Sequence, residues 1–283
     1  MIITGNIKKA RQICKRHRKK SKRIGFIPTM GALHEGHMSL VNKARKECDF
    51  VVASIFVNPL QFGPAEDLTR YPRDFGKDEK RLKTAGVDLL FYPKASVMYP
   101  AGFSTYVQEA SLSKELCGKY RPNHFKGVCT VLAKLFNIIG PDIAYFGQKD
   151  HQQSQIVKKI ISDLNYDIKI KVLPIVREKG RLAMSSRNAY LSVPERAKST
   201  CLYEALCLAS ELIKKGERNP QKISAGMRKV VKTKKNTKID YIEIVDAKTL
   251  NKINKISGKV LIAMAVYIGK TRLIDNIILN VKK

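Results

Sequence analysis

The chain has 283 residues, enough for one large domain or two modest ones that each bury a core. An apolar fraction of 44% argues against intrinsic disorder, and the lack of any run of about 18 apolar residues excludes a membrane-spanning helix. The formal net charge of +30 lies far above the magnitude of about 2–8 that is usual for a small domain.

The positive charge is densest in residues 8–23, and a second basic run covers residues 228–238. One interpretation is a surface that binds nucleic acid or a membrane, and the other is a set of lysines on solvated helix faces. Neither run contains an aromatic residue on which a base could stack, and the excess lysine is spread over nearly every predicted helix. We therefore favour solvated faces and expect no nucleic-acid binding beyond the effect of bulk charge.

Short apolar runs alternate with helical patterns between residues 24 and 176. The apolar runs predict strands over 24–27, 50–57, 89–92, 143–146 and 168–175. The helical patterns predict helices over 38–47, 74–85, 128–139 and 152–164. This alternation is typical of βαβ units, so we expect an α/β fold with a doubly wound parallel sheet.

The pattern changes after Arg187, where two helical segments precede three strand-like runs. The predicted helices cover 194–215 and 220–231, and the predicted strands cover 239–245, 260–267 and 273–279. Helices followed by sequential strands favour a smaller α+β unit with an antiparallel sheet. We therefore divide the chain into domains 1–180 and 181–283.

The ten residues Pro-Thr-Met-Gly-Ala-Leu-His-Glu-Gly-His, at 28–37, directly follow the first strand of this α/β pattern and directly precede a helix. A strand, a glycine-bearing turn and a helix start can present backbone N–H groups and the imidazoles of His34 and His37 to a phosphate. Two surface histidines that cap a helix are the alternative. A zinc-protease motif is excluded, because it needs two histidines four residues apart.

Three further groups of residues follow predicted strands or lie in a predicted loop. Lys149 would offer a point charge to phosphate, and Asp150 would accept from ribose hydroxyls or cap a helix. Gln61 and Gln153 suit a small substrate with hydroxyl and carboxylate groups, although each could instead cap a loop. Residues 184–187, Met-Ser-Ser-Arg, would hold a polyphosphate or form a basic surface loop.

The six cysteines form no Cys-x-x-Cys pair and have no histidine at zinc-site spacing. They are Cys14, Cys48, Cys117, Cys129, Cys201 and Cys207. Such cysteines are typical of reduced, mostly buried thiols, and the start of the chain lacks the pattern of a signal peptide. We expect a cytoplasmic location.

Seven segments, in order along the chain, resemble those of the pantothenate synthetase family, the pantoate–β-alanine ligases. They lie at 28–37, 56–62, 71–73, 98–100, 121–125, 146–153 and 184–188. Seven ordered motifs are far more specific than any one of them, so the resemblance outweighs the structural alternatives given for the single residues.

The resemblance implies a Rossmann-like domain of the nucleotidyltransferase class, followed by a small C-terminal lid domain. It implies that (R)-pantoate and β-alanine are joined through an enzyme-bound pantoyl adenylate, with ATP cleaved to AMP and pyrophosphate. The implied cofactor is Mg²⁺, whose ligands the sequence does not identify, and the implied assembly is a homodimer. Another nucleotidyltransferase of this class and a nucleic-acid-binding protein remain as alternatives.

The resemblance also assigns residues. The implied catalytic residues are His37, His34 and Lys149, with His37 as the nominal proton donor and charge stabilisation as the role that we favour for both histidines. The implied substrate-binding residues are Gln61 and Gln153. The implied ATP-binding residues are Met30, Gly31, Ala32, Leu33, His34, Glu35, Gly36, His37, Gly147, Gln148, Lys149, Asp150, Val176, Met184, Ser185, Ser186 and Arg187.

Three residues, in two segments, depart from the common pattern of the family. Asn123 stands where a glycine is usual, and because asparagine tolerates a positive φ we expect the turn to survive. Gly180 and Arg181 replace a typical Asp-Gly pair, which leaves the conformation of the 184–187 loop open.

Overall fold

The structure is a computed structural model and describes residues 1–282. None of the helices within this range is long and apolar enough to cross a bilayer. The chain separates into two compact units, which are described one at a time. The first comprises residues 1–113 and 121–174, and the second comprises Lys114–Tyr120 and the chain from Ile175 onward. The division at residue 180 stays a prediction.

The first three-fifths of the chain alternates strands and helices. In chain order, it forms β1 (Ile2–Thr4), α1 (Ile7–Lys19), β2 (Ile24–Thr29), α2 (Glu35–Glu47), β3 (Phe50–Ile55), α3 (Phe75–Thr84), β4 (Leu89–Phe91), α4 (Ala95–Met98), α5 (Cys117–Tyr120), α6 (His124–Ile139), β5 (Ile143–Gly147), α7 (His151–Asp163) and β6 (Lys169–Leu173). All of these except α5 belong to the first unit. The alternation confirms the predicted α/β class.

The six strands form one parallel sheet in the order β1-β4-β3-β2-β5-β6. The chain runs outward from β2 through β3 to β4 and then returns to β5 on the other side of β2. Strands β2 and β5 are therefore adjacent, with Gly25 opposite Ile143. Open α/β sheets bind ligands at the carboxyl ends of the strands where the winding reverses, so the ends of β2 and β5 are the expected place for a site.

Helix α6 begins at His124, four residues before its predicted start. Of its 16 residues, 13 are buried. The helix is therefore covered on more sides than we expected from its single apolar stripe. Asn123 precedes it with φ at +62°, the left-handed conformation that asparagine adopts more readily than most residues. The expectation that the turn survives at Asn123 is confirmed.

The first two elements were not predicted. Helix α1 buries only Ala10 and Cys14, four residues apart, and most of its lysines and arginines are exposed. This agrees with a solvated basic face. Strand β1 has three residues and pairs with β4 at the edge of the sheet, a length too short for an alternating pattern to be recognised.

The second unit continues with α8 (Val193–Lys198), α9 (Cys201–Lys214), α10 (Pro220–Lys232), β7 (Thr237–Asp246), β8 (Gly258–Ile268) and β9 (Thr271–Val281). The strands form an antiparallel sheet in the order β7-β8-β9, as predicted. The prediction of one helix over 194–215 was wrong. The chain breaks after Lys198, where the Ser199 hydroxyl donates to the carbonyl of Arg196 at 2.6 Å and so competes with regular helix bonding.

Candidate active site

The turn after β2 lies at the reversal point of the parallel sheet and carries the predicted histidines. Gly31 has φ at +84° and Ala32 has φ at +49°, so two successive residues adopt left-handed backbone. A side chain on Gly31 would be strained at that φ and would lie 3.0 Å from Ile55 Cγ2. The glycine is therefore required by backbone conformation and by limited space.

The Asp78 carboxylate, on α3, holds this turn in place. Its Oδ2 accepts from the backbone N–H of Ala32 at 2.8 Å, and its Oδ1 accepts from Leu33 at 2.7 Å. Asp78 is 3% exposed. Burial raises the pKa of its carboxyl, and the two N–H donors oppose that shift. Nearby, Arg81 donates to the carbonyl of Leu33 at 2.7 Å.

The backbone N–H groups of the turn are thus directed inward. Thr29 Oγ1 accepts from Gly31, Asp78 accepts from Ala32 and Leu33, and the carbonyl of His34 accepts from His37. The sequence had suggested that this backbone faces a phosphate. Because these N–H groups already have partners within the chain, side chains are left as the principal donors to an anion.

His34 and His37 cap α2 with their own rings. His34 Nδ1 accepts from the backbone N–H of Gly36 at 3.2 Å, and His37 Nδ1 accepts from the backbone N–H of His34 at 3.3 Å. The rings are stacked, with centroids 4.0 Å apart and planes inclined by 29°. A nitrogen that accepts from a backbone N–H carries no proton, so in the neutral ring the proton sits on Nε2. Both imidazoles therefore present Nε2–H donors.

The His37 imidazole is neutral at physiological pH. Burial lowers its pKa well below the ordinary 6.5, and the nearby His34, Lys149 and Arg81 lower it further. The ring can therefore stabilise an anion by donating a hydrogen bond. A bound polyphosphate would raise the pKa of the same ring, since a negative charge favours its protonated form.

The segment after β5 supplies Lys149 beside the histidine pair. Residues Gln148–Asp150 form a single 3-10 turn between β5 and α7. The Lys149 side chain is 20% exposed, and its ammonium lies 4.0 Å from Asp150 Oδ2. Asp150 stands at the N-cap of α7 without a side-chain capping bond, so its alternative role as a helix cap is not observed. Gln153 lies in the first turn of α7.

Gln61 ends the short 3-10 turn after β3 and reaches the histidine turn. Its Nε2 donates to Met30 Sδ at 3.0 Å. Its carbonyl oxygen lies 2.8 Å from His124 Nδ1, so His124 helps to position the Gln61 turn. The first unit thus brings together Met30, Gln61, both histidines and Lys149 from three neighbouring strands.

The 184–187 loop belongs to the second unit. The N–H of Met184 donates to the carbonyl of Val176 at 3.0 Å, and Arg177 pairs with Ala183. The loop therefore directly follows a short hairpin. Arg181 takes φ at +69° in the turn of this hairpin, in the place where the family pattern has glycine. Ser185 caps a 3-10 turn by accepting from the N–H of Arg187 at 3.3 Å. The hairpin therefore forms although Arg181 replaces the glycine of the family pattern.

Within residues 1–282, no group of three or more His, Cys, Asp or Glu side chains is arranged to hold a metal ion. The Asp78 carboxylate, the most buried acid of the site, already accepts two backbone N–H groups. A metal at this site would therefore depend mainly on ligands from a bound substrate and from water.

Comparison with known proteins identifies the family of the chain. The family model of pantoate-beta-alanine ligase matches residues 2–278. The chain belongs to this family. It is an enzyme of pantothenate biosynthesis that condenses pantoate with β-alanine.

Relatives of the ligase match over the full length. The chain is 53% identical over 281 residues to the pantothenate synthetase of Caldicellulosiruptor saccharolyticus, covering 99% of this chain and 100% of the relative. It is also 53% identical over 280 residues to that of Thermotoga petrophila, covering 99% and 100%.

Two crystal structures share the fold of the ligase. The pantothenate synthetase of Thermus thermophilus matches with a TM-score of 0.93 and 42% identity, over 98% of this chain and 99% of that one. The pantoate-beta-alanine ligase of Francisella tularensis matches with a TM-score of 0.80 and 35% identity, over 98% and 97%, and that protein is complexed with beta-gamma ATP and β-alanine.

Four residues that received no role from the sequence form hydrogen bonds at the candidate site. Asp78 and Arg81 bond to the histidine turn, Asn58 bonds to Gln61, and Tyr99 bonds to Asn58. Asn58 and Tyr99 lie within motif segments, which was the available signal. Asp78 gave none, because an acid in a helix rich in charged residues is expected to face solvent.

Proposed function

We propose that the ligase activates pantoate as an acyl adenylate at the turn after β2 and then transfers the pantoyl group to β-alanine. The observation that carries this proposal is the pair of Nε2–H donors on His34 and His37 beside the ammonium of Lys149, at the reversal point of the sheet. Three positive or donor groups in one place suit a polyphosphate better than they suit a neutral substrate.

In the first step, a carboxylate oxygen of pantoate attacks the α-phosphorus of ATP. The bond from that phosphorus to the bridging oxygen of pyrophosphate breaks, and pyrophosphate leaves with the electron pair. Negative charge grows on the phosphoryl and bridging oxygens, where His34, His37 and Lys149 stabilise it. No protein nucleophile is required.

In the second step, the neutral amine of β-alanine attacks the carbonyl carbon of the mixed anhydride. The bond from the carbonyl carbon to the AMP oxygen breaks, AMP leaves with the electron pair, and the new amide nitrogen loses a proton to solvent. The neutral state of His37 suits this half-reaction, since its Nε2–H can donate to the AMP oxygen as negative charge develops there.

The remaining expected residues complete the proposal. In the first unit, the segments Met30–His37 and Gly147–Asp150 bind ATP. Val176 and Met184–Arg187, in the second unit, also bind ATP, with the two serine hydroxyls and the guanidinium on the phosphates. Gln61 and Gln153 bind pantoate through their amides, and Gln61 also reaches β-alanine.

Mg²⁺ enters as the counter-ion of ATP. A magnesium ion keeps several waters and binds substrate phosphates, so it does not need a cage of protein carboxylates, and the described residues provide none. We further propose a homodimer in the cytoplasm. Light scattering of the purified protein tests the assembly, and fractionation of cells tests the location.

The decisive experiment is pantoate-dependent exchange of labelled pyrophosphate into ATP, with Mg²⁺ present and β-alanine absent. An adenylate intermediate makes the first step reversible on its own, so exchange is expected. Addition of β-alanine should then give AMP and pantothenate in equal amounts. Formation of ADP, or exchange without pantoate, would contradict the proposal.

A further inference from the structure

A row of hydrogen bonds runs from Tyr99 through Asn58 and Gln61 to Met30. The Tyr99 hydroxyl donates to Asn58 Oδ1 at 2.8 Å. Asn58 Nδ2 donates to Gln61 Oε1 at 3.2 Å, and Gln61 Nε2 donates to Met30 Sδ at 3.0 Å. All four residues belong to the first unit.

Two backbone groups determine the orientation of the Asn58 amide. The N–H of Leu60, which can only donate, lies 3.3 Å from Asn58 Oδ1. The carbonyl of Gly127, which can only accept, lies 3.1 Å from Asn58 Nδ2. Asn58 is 1% exposed, so water does not offer alternative partners. Since the amide oxygen faces Tyr99, the tyrosine hydroxyl must be the donor of that bond.

The orientation is passed on to Gln61. Asn58 Nδ2 is a donor, so the Gln61 atom that faces it has to be the acceptor Oε1. Rotation of the Gln61 amide by 180° would set two donors against each other and leave a buried hydrogen unpaired, which is costly. Met30 Sδ takes one hydrogen of Gln61 Nε2. The other hydrogen is left for an oxygen of the substrate.

The surroundings of Tyr99 keep its hydroxyl in place and protonated. The ring centroid lies 5.0 Å from that of Phe103 and 5.9 Å from that of Phe56. Burial raises the pKa of the Tyr99 hydroxyl far above its ordinary value, so the proton stays on the oxygen throughout the working range. A protonated hydroxyl in a fixed ring is a dependable donor to Asn58.

We propose that Tyr99 is a positioning residue of the ligase, which acts through Asn58 to hold the Gln61 amide with its nitrogen toward pantoate. This inference rests on the proposed role of Gln61 in pantoate binding. It gives the pocket a donor at this point and so favours a substrate that places a carboxylate or carbonyl oxygen there. Tyr99 itself touches no substrate in this proposal.

The test compares Tyr99→Phe with Tyr106→Phe. Tyr106 belongs to the same aromatic row, 5.5 Å from Phe103, and is 44% exposed. Each change removes one phenolic hydroxyl and keeps the ring, but only the first removes the donor to Asn58. We expect Tyr99→Phe to raise the KM for pantoate about five- to tenfold, with kcat and the KM for ATP within about twofold. Tyr106→Phe should leave all three unchanged.

A double-mutant cycle with Gln61→Glu separates positioning from a structural role. The Gln61→Glu variant keeps the size of the side chain and removes both Nε2 hydrogens, so the KM for pantoate should rise strongly. If Tyr99 acts through Gln61, adding Tyr99→Phe to that variant should change the KM for pantoate no further. An additive increase, or a lower kcat and melting temperature in Tyr99→Phe, would mean a structural role and would overturn the proposal.

The remaining outcomes distinguish this inference from the function on which it rests. If Gln61→Glu raises the KM for pantoate and Tyr99→Phe does not, the role of Tyr99 is refuted and that of Gln61 stands. If Gln61→Glu leaves the KM for pantoate unchanged, Gln61 does not bind pantoate and both proposals fail at this residue. The exchange of pyrophosphate into ATP would still test the adenylate step independently.

Discussion

Gly127, in α6, lies against the backbone of Gln61 so closely that a Cβ on Gly127 would be 2.6 Å from the Gln61 nitrogen and closer still to the carbonyl of Leu60. Real Cβ atoms essentially never approach other atoms to under 3.0 Å, so either α6 or the Gln61 turn would have to move. The position of Gln61, the residue proposed to bind pantoate, is therefore linked to the packing of a helix more than 60 positions away in the chain.

We expect Gly127→Ala to destabilise the ligase by about 1–3 kcal/mol, the usual cost of overpacking, and to raise the KM for pantoate. Urea unfolding and steady-state kinetics measure the two effects. Gly226→Ala is the matched control, because its Cβ would lie 3.5 Å from Leu208 Cδ2 in ordinary contact. Alanine there should stabilise α10 by about 0.5–1 kcal/mol. Equal stability changes in the two variants would contradict the steric argument.

Replacement of His37 by alanine should impair adenylate formation. The change removes an Nε2–H donor from the charge that develops on the phosphate, and donors of this kind contribute about 10²–10³ in rate. The pantoate-dependent exchange of pyrophosphate into ATP should fall by that factor. His17→Gln is the control, since the His17 ring stacks on Phe50 at 3.8 Å, outside the site. Near-normal exchange in His37→Ala would refute the assignment.

The depressed pKa of His37 makes stability depend on pH. Between its folded value and the ordinary 6.5, the unfolded chain binds a proton that the folded chain does not. The contribution of His37 to the free energy of unfolding is therefore complete above pH 6.5. It is lost as the pH falls below that value, at up to about 1.4 kcal/mol per pH unit. Urea unfolding from pH 8 to 5 should show a steeper loss for the wild type than for His37→Gln. Parallel curves would exclude a depressed pKa at this residue.

Substitution of Asp78 by asparagine should loosen the histidine turn. An amide offers one acceptor, so its NH₂ group would face the N–H of either Ala32 or Leu33. We expect a loss of about 1–3 kcal/mol in the free energy of unfolding, together with a higher KM for ATP. Asp74→Asn is the matched control on the same helix. Asp74 is exposed and caps α3 through the N–H of Lys77, a role that asparagine fills equally well.

A large Asp74→Asn effect, or an Asp78→Asn variant as stable as the wild type, would show that the two backbone hydrogen bonds are not what holds the turn. Chemical denaturation monitored at one pH suffices for both comparisons.

The sequence predicted the βαβ pattern of the first unit because its strands are apolar runs separated by helices of ordinary length. The break after Lys198 escaped because both halves of the segment 194–215 have helical periodicity. At the break, the hydroxyls of Ser199 and Thr200 each donate to a carbonyl of the preceding turn. The basic helix α1 escaped because a helix that buries two residues leaves almost no apolar stripe to detect.

At the site, the histidines, Lys149 and Gln61 could be named because each follows a strand at the edge where ligands bind. The inward direction of the Ala32 and Leu33 N–H groups could not be predicted. It depends on Asp78, which lies 45 positions from Leu33 in the chain, and its approach is decided by tertiary packing. Local pattern shows where a turn occurs, and distant residues decide which way its donors point.

If the turn after β2 binds nucleotide as proposed, the inward bonds of the Asp78 carboxylate also affect the free energy of binding. A glycine-bearing turn that took its shape only from a ligand would lose conformational freedom on binding, at about 1–2 kcal/mol per residue. Here Ala32 and Leu33 are tied to α3 by the chain itself. The turn therefore loses its conformational entropy when the protein folds. This loss does not lower the affinity for nucleotide.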